Sequence, residues 1–189
     1  MKQTFFTLLL SGLVLFASCG SKAESDTATE ATDKDGSTVE IHNSAGPRLE
    51  TKSYKIGGQT YTVTLQRQPA QNAPTVTDDF GTVFYDNDVR ISIKPESADS
   101  LIFDRHFTKA DFQDFIPKNL YSVSVLHGMA FSTDAKEKNR IVFGAQVGEP
   151  GLEGEGPTFA VSISLNGEVG ISPVEDDISL STSDGQEGN

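Results

Sequence analysis

The segment at residues 55–65, KIGGQTYTVTL, decides the fold class, because it joins a tight-turn signal to a strand signal. The Gly-Gly pair at residues 57–58 tolerates the positive φ angles of a two-residue hairpin turn. After the turn, Tyr61, Val63 and Leu65 alternate with threonines, which is the pattern of a strand with one buried face. The segment therefore predicts an antiparallel hairpin.

The same two-residue alternation recurs further along the chain, at residues 89–93, 141–147 and 159–165. The last of these runs ends at Asn166-Gly167, a second dipeptide that is typical of tight hairpins. Most of the domain is therefore expected to be antiparallel sheet.

One segment, FTKADFQDFI at residues 107–116, has the signals of a helix instead. Thr108 and Asp111 have the spacing of a capping box, and Phe107 and Phe112 have the spacing of a hydrophobic staple. The helix is expected over about residues 108–116. Its apolar contacts to the sheet are expected from Phe112, Phe115 and Ile116.

Residues 118–131, KNLYSVSVLHGMAF, leave two alternatives open. Val123 and Val125 favour a strand, Gly128 favours a break, and a second short helix also fits the pattern. The fold class that accommodates all of these segments is α+β: a mainly antiparallel β-sheet or sandwich with one short capped helix.

The N-terminus has the features of a bacterial secretion signal. Lys2 precedes an apolar run at residues 5–17, whose ~13 residues are fewer than the ~20 that a membrane-spanning helix needs. Cys19 follows small residues in FASC, which resembles the lipobox of bacterial lipoproteins. The resemblance implies that Cys19 is acylated, with chains such as palmitate, and anchors the protein. The alternative is ordinary signal-peptide cleavage near Ser18.

The composition divides the chain into four parts. Residues 1–18 are expected to be the lipoprotein signal peptide. Residues 19–47 are expected to be the acylated cysteine and a disordered acidic tether, or alternatively a short amphipathic helix, because the segment contains little apolar surface to bury. A single β-rich globular domain is expected at residues 48–173, followed by a frayed acidic tail at 174–189.

Charge and cysteine content exclude several functions. The 189 residues include 27 acidic and 15 basic side chains, for a net charge of −12, so nucleic-acid binding is not expected. Cys19 is the one cysteine. If it carries lipid, the folded part has no disulfide, no cysteine-ligated zinc and no cysteine nucleophile.

The remaining candidates for chemistry are weak. Asp104 and His106 share one face of a predicted strand, where the carboxylate could orient the imidazole as a base for a serine. No G-x-S-x-G motif is present, so a surface cross-strand pair is the preferred interpretation. The three histidines lack metal-ligand spacing, and there is no P-loop or G-x-G-x-x-G motif. No metal and no cofactor are expected.

The loop at residues 148–157, GEPGLEGEGP, carries three acidic side chains, Glu149, Glu153 and Glu155. They lack the spacing of a calcium-binding loop, in which alternate oxygens point at one ion. The loop is therefore predicted to be a mobile connector that binds no divalent ion.

The lipobox, the acidic tether and the runs LIFDRHFTKADFQDFI, LHGMAF, IVFGAQVGEP and VSISLNGEVGI together resemble an uncharacterised family of small Bacteroides-type lipoproteins with a domain of unknown function. The resemblance implies a Gram-negative envelope and gives no activity. The expected function is a lipid-anchored envelope protein that acts as a binding or accessory module for an envelope protein or small molecule. The expected location is the outer membrane, with the face undetermined. The alternative is an envelope hydrolase with an unrecognised carboxylate site.

Overall fold

The computed structural model describes residues 29–32, 38–132, 139–151 and 155–174. Cys19, Glu153 and most of the acidic tail lie outside these ranges. The strands are β1 (Thr29–Thr32), β2 (Thr38–Asn43), β3 (Arg48–Ile56), β4 (Gln59–Pro69), β5 (Val76–Thr77), β6 (Val83–Tyr85), β7 (Asn87–Pro95), β8 (Phe103–Phe107), β9 (Val125–Phe131), β10 (Arg140–Gly148), β11 (Thr158–Ser164) and β12 (Val169–Pro173). A 3₁₀ helix (Lys109–Phe115) and an α-helix, α1 (Lys118–Val123), lie between β8 and β9.

The first large sheet has the order β3-β4-β7-β8, and all its pairs are antiparallel. The predicted hairpin joins β3 to β4, with Ile56 paired to Gln59 across the two-residue turn. Gly57 and Gly58 have φ angles of 59° and 83°, which only glycine adopts without strain. The Gly-Gly prediction is therefore confirmed.

The second large sheet has the order β12-β11-β10-β9 and is also antiparallel throughout. The hairpin between β11 and β12 turns at Gly167, whose φ is 90°. The register between β9 and β10 shifts between Gln146 and Val147, so that His127 is the extra residue of a β-bulge.

A smaller sheet has the order β1-β2-β6-β5 and contains the parallel pair β2–β6. β1 and β2 lie within residues 19–47, which were expected to form the tether. β2 is ordered because it pairs with β6 over three residues and buries Ile41. Ser44 and Ala45 are also buried, so the folded part of the chain begins before residue 48.

The two large sheets share one hydrophobic core. Alternate residues of β4, β7, β10 and β11 belong to one buried cluster, together with Leu126, Met129 and Phe131 of β9. Burial of these side chains supplies the main stabilisation of the sandwich. The largest fully buried side chains are Phe107, Phe112, Phe143, Phe159, Leu65, Ile91, Ile93, Leu126, Ile141 and Ile163. The expected β-rich, mainly antiparallel α+β fold is confirmed.

The helical region differs from the single helix expected at about residues 108–116. A 3₁₀ helix ends at Phe115, and α1 begins after Pro117. Ile116 between them is extended, with φ −115° and ψ 130°, because a residue that precedes proline disfavours the helical region. Residues 118–131 are thus a short helix followed by strand β9. Both alternatives left open by the sequence occur, one after the other.

The predicted contacts of this region are confirmed for two of three side chains. Phe112 is fully buried and Ile116 is 5% exposed, whereas Phe115 is 42% exposed. The Asp111 side chain accepts a hydrogen bond from the Thr108 backbone N–H at 2.8 Å, as a capping box requires. Among the described residues, neither helix is long and apolar enough to cross a bilayer.

Candidate functional site

An open groove of about 580 Å³ crosses the outer face of the second large sheet. Its floor is formed by strands β9, β10 and β11, and its wall is formed by arginines of the β3–β4 hairpin. Val174, directly after β12, lies at its margin. The groove thus lies where the two large sheets meet on the surface.

Small residues form the central part of the floor. Ala130 pairs with Gly144 across β9 and β10, and Gly128 pairs with Gln146 in the next row. A Cβ atom at Gly144 would have no heavy atom within 4 Å, so the space above this position is open. Because Ala130 and Gly144 have no long side chain, this central part of the floor loses no side-chain freedom when a ligand binds.

Arg67 is held against the floor by the backbone. Its Nε donates to the carbonyl oxygen of Gly46 at 2.9 Å, and its Nη1 donates to that of His127 at 2.7 Å. Gly128 has a φ of 150°, and a Cβ there would lie 3.0 Å from Arg67 Nη1. A glycine is therefore needed at position 128, both for its backbone angle and for the close approach of the guanidinium.

Arg48 lies directly opposite Arg67 in the β3–β4 pair. Like charges at opposed positions destabilise a sheet. Glu50 forms an ion pair with Arg48, whose side chain remains 48% exposed. Among the described residues, those that line the groove include two arginines and no aspartate or glutamate. The described part of the wall therefore presents two guanidinium groups.

Sequence reasoning missed this pair, although a signal was present. A two-residue turn at residues 57–58 fixes the register of the hairpin. Counting outward from the turn on both strands places Arg48 opposite Arg67. The contribution of β9, β10 and β11 to the same groove has no local signal, because it depends on the packing of distant segments.

A buried polar cluster lies at the junction of β6 and β7. Asp86 is 7% exposed, and its Oδ1 accepts hydrogen bonds from the backbone N–H groups of Asn87 and Leu126, both at 2.7 Å. Its Oδ2 is 4.0 Å from Lys109 Nζ. Burial raises the pKa of Asp86, although the two backbone hydrogen bonds and the Lys109 charge act in the opposite direction.

Lys109 brings the 3₁₀ helix to this cluster. Its Nζ donates to the carbonyl oxygens of Ser124 at 2.5 Å and Tyr121 at 3.1 Å, and lies 4.7 Å from the centre of the Tyr121 ring. Burial lowers the pKa of Lys109, and the Asp86 charge partly offsets this effect. The ammonium is thus held by α1 as well as by the carboxylate.

Asn87 completes the cluster. Its Nδ2 donates to Ser44 Oγ at 2.9 Å and to the Leu126 carbonyl oxygen at 2.8 Å. The cluster therefore connects the segment after β2, the β6–β7 junction, the helices and β9. Asp86 does not line the groove, and its two oxygens face groups of the protein itself. These contacts indicate a structural role for the cluster.

The structure places Asp104 and His106 on the outer face of the first sheet, with different partners. His106 Nδ1 is 2.8 Å from Asp88 Oδ2, whereas Asp104 accepts two hydrogen bonds of 2.7 Å from Arg90. The Arg90 guanidinium lowers the pKa of Asp104. Asp104 and His106 thus each pair with a residue of the neighbouring strand β7 and not with each other. In the antiparallel register Arg90 lies opposite His106, and its guanidinium reaches Asp104 diagonally.

The acidic loop is fixed at its base. The backbone N–H of Val147 donates to the Pro157 carbonyl oxygen at 3.1 Å. A Cβ at Gly148 would overlap the carbonyl oxygen of Glu155, so the two ends of the loop are in close backbone contact. Within the described ranges, which include Glu149 and Glu155, no three His, Cys, Asp or Glu side chains are grouped to hold a metal. That the loop binds no divalent ion stays a prediction, since Glu153 lies outside the described residues.

Fold and surface together define the class of protein: an antiparallel β-sandwich that carries an open groove with a cationic wall. The chain belongs to the family described as a domain of unknown function, DUF4738, whose model matches residues 27–171. The match begins upstream of β2, in agreement with a folded unit that starts before residue 48. No curated protein matches the chain.

Proposed function

We propose that the chain is a lipid-anchored cell-envelope protein that acts as a binding module, with the groove on the second sheet as its binding surface. The groove itself carries the proposal. Its volume of about 580 Å³ lies within the range of small-molecule sites, which is roughly 300–1,000 Å³. Its floor is apolar, and a few polar groups, among them Arg48, Arg67 and Gln146, surround it.

The N-terminal sequence supports the proposed location. The short apolar run and FASC support acylation of Cys19, and the similarity of the chain to Bacteroides-type lipoproteins supports the outer membrane. Two or more acyl chains hold a protein stably on a bilayer, since each buried CH₂ contributes about 0.8 kcal/mol. The partners are then the membrane, through the lipid, and a small molecule or envelope protein in the groove.

The anchor is tested by labelling cells with a fatty acid analogue. The wild-type chain is expected to incorporate the label, and Cys19→Ala is expected to lose all of it, because no other cysteine is available. Ser18→Ala, which keeps the thiol and a small residue before it, serves as the control and should remain labelled. Equal labelling of wild type and Cys19→Ala would end the anchor proposal.

Ligand binding in the groove is tested on the full chain carrying Cys19→Ser, purified without detergent and measured by native mass spectrometry. The protein is expected to carry a small bound species. Gly144→Leu should abolish this species, because the added side chain occupies open space in the groove without a backbone clash. Ser53→Leu adds the same side chain to an exposed position of β3 and should retain the species.

A bound species that persists in Gly144→Leu would contradict binding in the groove, and so would a protein that carries none from its native host. The alternative, an envelope hydrolase, has one feature in its favour: the raised pKa of the buried Asp86. The groove is the better supported site, because Asp86 lies outside it and is already bound by backbone N–H groups.

A further inference from the structure

We propose that the free edge of strand β3 pairs with β3 of a second copy of this chain. The two strands run antiparallel, so that the first large sheets of two molecules become one continuous sheet. The paired positions are residues 48–54, with Thr51 opposite Thr51 of the second copy at the two-fold axis. The inference does not depend on what the groove binds.

Strand β3 is the longest edge strand of the two large sheets, with nine residues. Within the described ranges, β4 is the strand that pairs with it. The edge strand β9 of the second sheet differs, because side chains bond to its backbone. The Leu126 N–H donates to Asp86, and the Leu126 carbonyl oxygen accepts from Asn87. An edge such as that of β3 is a template for a further strand.

The hydrogen-bond pattern shows which backbone groups of β3 point to this edge. The Thr60 carbonyl oxygen accepts from the N–H of Glu96, directly after β7, at 2.9 Å. Lys55 lies opposite Thr60 and therefore turns its own backbone groups away from β4. This direction alternates along a strand, so the N–H and C=O groups of residues 49, 51, 53 and 55 all point to the edge. All four residues are exposed.

The charges on β3 favour a second copy of this chain as the added strand. Charged residues on an edge strand usually oppose pairing with other chains. On β3, however, Glu50 and Lys52 have opposite charges and lie two positions apart, so both side chains point to the same face. Antiparallel pairing around Thr51 places Glu50 opposite Lys52 of the second copy, and Lys52 opposite its Glu50. Opposite charges at directly opposed positions stabilise a sheet.

Both of these side chains already have a neighbour within one copy. Glu50 forms an ion pair with Arg48, and Lys52 Nζ lies 4.7 Å from the centre of the Phe131 ring. A carboxylate has two acceptor oxygens, so Glu50 can accept from Lys52 of the second copy while it keeps Arg48. An ammonium group has three donors and can keep its position over the ring. Pairing thus adds contacts without removing the existing ones.

Other registers with the same backbone pattern are less favourable. Pairing around Glu50 or around Lys52 places like charges directly opposite each other, which destabilises a sheet. Pairing around Leu49 leaves most of β3 beyond the overlap. Pairing around Ser53 forms no cross-strand ion pair. Pairing around Thr51 therefore combines complementary charge with a long overlap.

The paired edge would satisfy backbone groups that point away from β4. Three opposed pairs form, Thr51 with itself and Leu49 with Ser53 in both directions, and each exchanges two N–H···O bonds, or about six in all. Leu49, which is 68% exposed, would then lie beside the added strand. One strand buries little area, so the dimer is expected to be weak in dilute solution. Anchoring on one bilayer would raise the effective concentration of the two copies, so the measurement is made in cells.

Cysteine cross-linking of the full chain in its native host tests the pairing. Thr51→Cys places the Cα atoms of the introduced cysteines about 5.5 Å apart, within the range for a disulfide, so a mild oxidant should give a linked dimer on non-reducing gels. Ser53→Cys is the matched control, because Ser53 is exposed on the same face of β3. Its two copies lie about 14 Å apart in the dimer, so its band should be at least about tenfold weaker. The wild type, whose one cysteine is Cys19, gives the background.

Charge reversal in the Thr51→Cys chain tests the register. Glu50→Lys or Lys52→Glu alone should weaken the dimer band about tenfold, because each places like charges opposite each other. Lys55→Glu makes the same change of charge on the same strand and should keep the band, since Pro47 is the residue opposite it. Co-expression of the Glu50→Lys and Lys52→Glu chains with different tags should restore a mixed dimer, because the two edges are then complementary.

Three outcomes would overturn the inference. Background bands for both Thr51→Cys and Ser53→Cys would remove the dimer, and a stronger band for Ser53→Cys would remove the register around Thr51. A monomeric Thr51→Cys chain whose thiol also resists a water-soluble maleimide would show that another part of the same chain covers the edge. Lack of the mixed dimer on co-expression would remove the ion pairs between Glu50 and Lys52.

Discussion

Replacement of Phe112 by alanine is expected to lower the free energy of unfolding by about 3–5 kcal/mol, the range for truncation of a core aromatic side chain. Phe112 is fully buried, and its ring centre lies 5.0 Å from that of Phe159 on β11. The side chain thus connects the 3₁₀ helix to the second sheet. Urea denaturation of the wild type and the variant, followed by circular dichroism, gives the difference.

Phe115→Ala is the matched control, because it removes the same group from the same helix. Its ring centre is 6.0 Å from that of Phe159, but the side chain is 42% exposed. The loss of stability should be clearly smaller than for Phe112→Ala, since less apolar surface is returned to water. Equal losses in the two variants, or a loss below about 0.5 kcal/mol for Phe112→Ala, would contradict the packing described for the helix.

Replacement of Asp86 by alanine is expected to lower the free energy of unfolding by about 3–5 kcal/mol, because it removes one partner of a buried ion pair. Two backbone N–H groups, those of Asn87 and Leu126, would lose their acceptor, and the Lys109 ammonium would lose its counter-charge. Asp86→Asn should cost less, because the amide oxygen still accepts both hydrogen bonds. Urea denaturation at neutral pH measures the free energy of unfolding of both variants and of the wild type.

Asp104→Ala provides the control, because Asp104 also pairs with a basic side chain but does so on the exposed face of the first sheet. Asp104→Ala should lower the free energy of unfolding much less than Asp86→Ala does, because exposed ion pairs contribute little to stability. Similar losses for the two substitutions would show that the Asp86 cluster is not the buried junction described above.

The contribution of Asp86 to the stability of the fold is expected to fall as the pH rises. The pKa of Asp86 is raised in the folded state, so the folded protein binds this proton more tightly than the unfolded chain does. Its contribution to stability is complete below the unfolded pKa, near pH 4, and is lost as the pH rises through the folded pKa. Asp86→Asn lacks this titration. The variant should therefore gain stability relative to the wild type as the pH is raised from about 4.

The strands and hairpins could be predicted because their signals are local. Alternation at Tyr61, Val63 and Leu65 reflects one buried face, and the glycines at residues 57–58 reflect backbone angles that few other residues adopt. The register of β3 and β4, and with it the opposition of Arg48 and Arg67, follows from the same turn. The arginine wall of the groove could therefore be predicted from the sequence.

The floor of the groove could not be predicted from the sequence, because it depends on contacts between distant segments. The floor joins β9, β10 and β11, and nothing near Gly128 or Gly144 in the sequence shows that Arg67 will lie beside them. His106 pairs with Asp88, eighteen positions away, for the same reason. The ordering of β2 likewise depends on β6, and residues 38–43 alone contain too little apolar surface to predict it.

The parallel pair β2–β6 has a consequence for the order of folding. β3 and β4 are joined by a two-residue turn, so their pairing closes the shortest possible loop, whereas pairing of Ile41 with Val83 must close a loop of about forty residues. β2 also adds only three paired positions when it joins. The chain loses the entropy of closing this long loop before the contacts between β2 and β6 form. We therefore expect β2 to pair with β6 only after β3, β4 and β7 have formed their antiparallel sheet. β2 would then be among the first strands to detach when the domain opens locally.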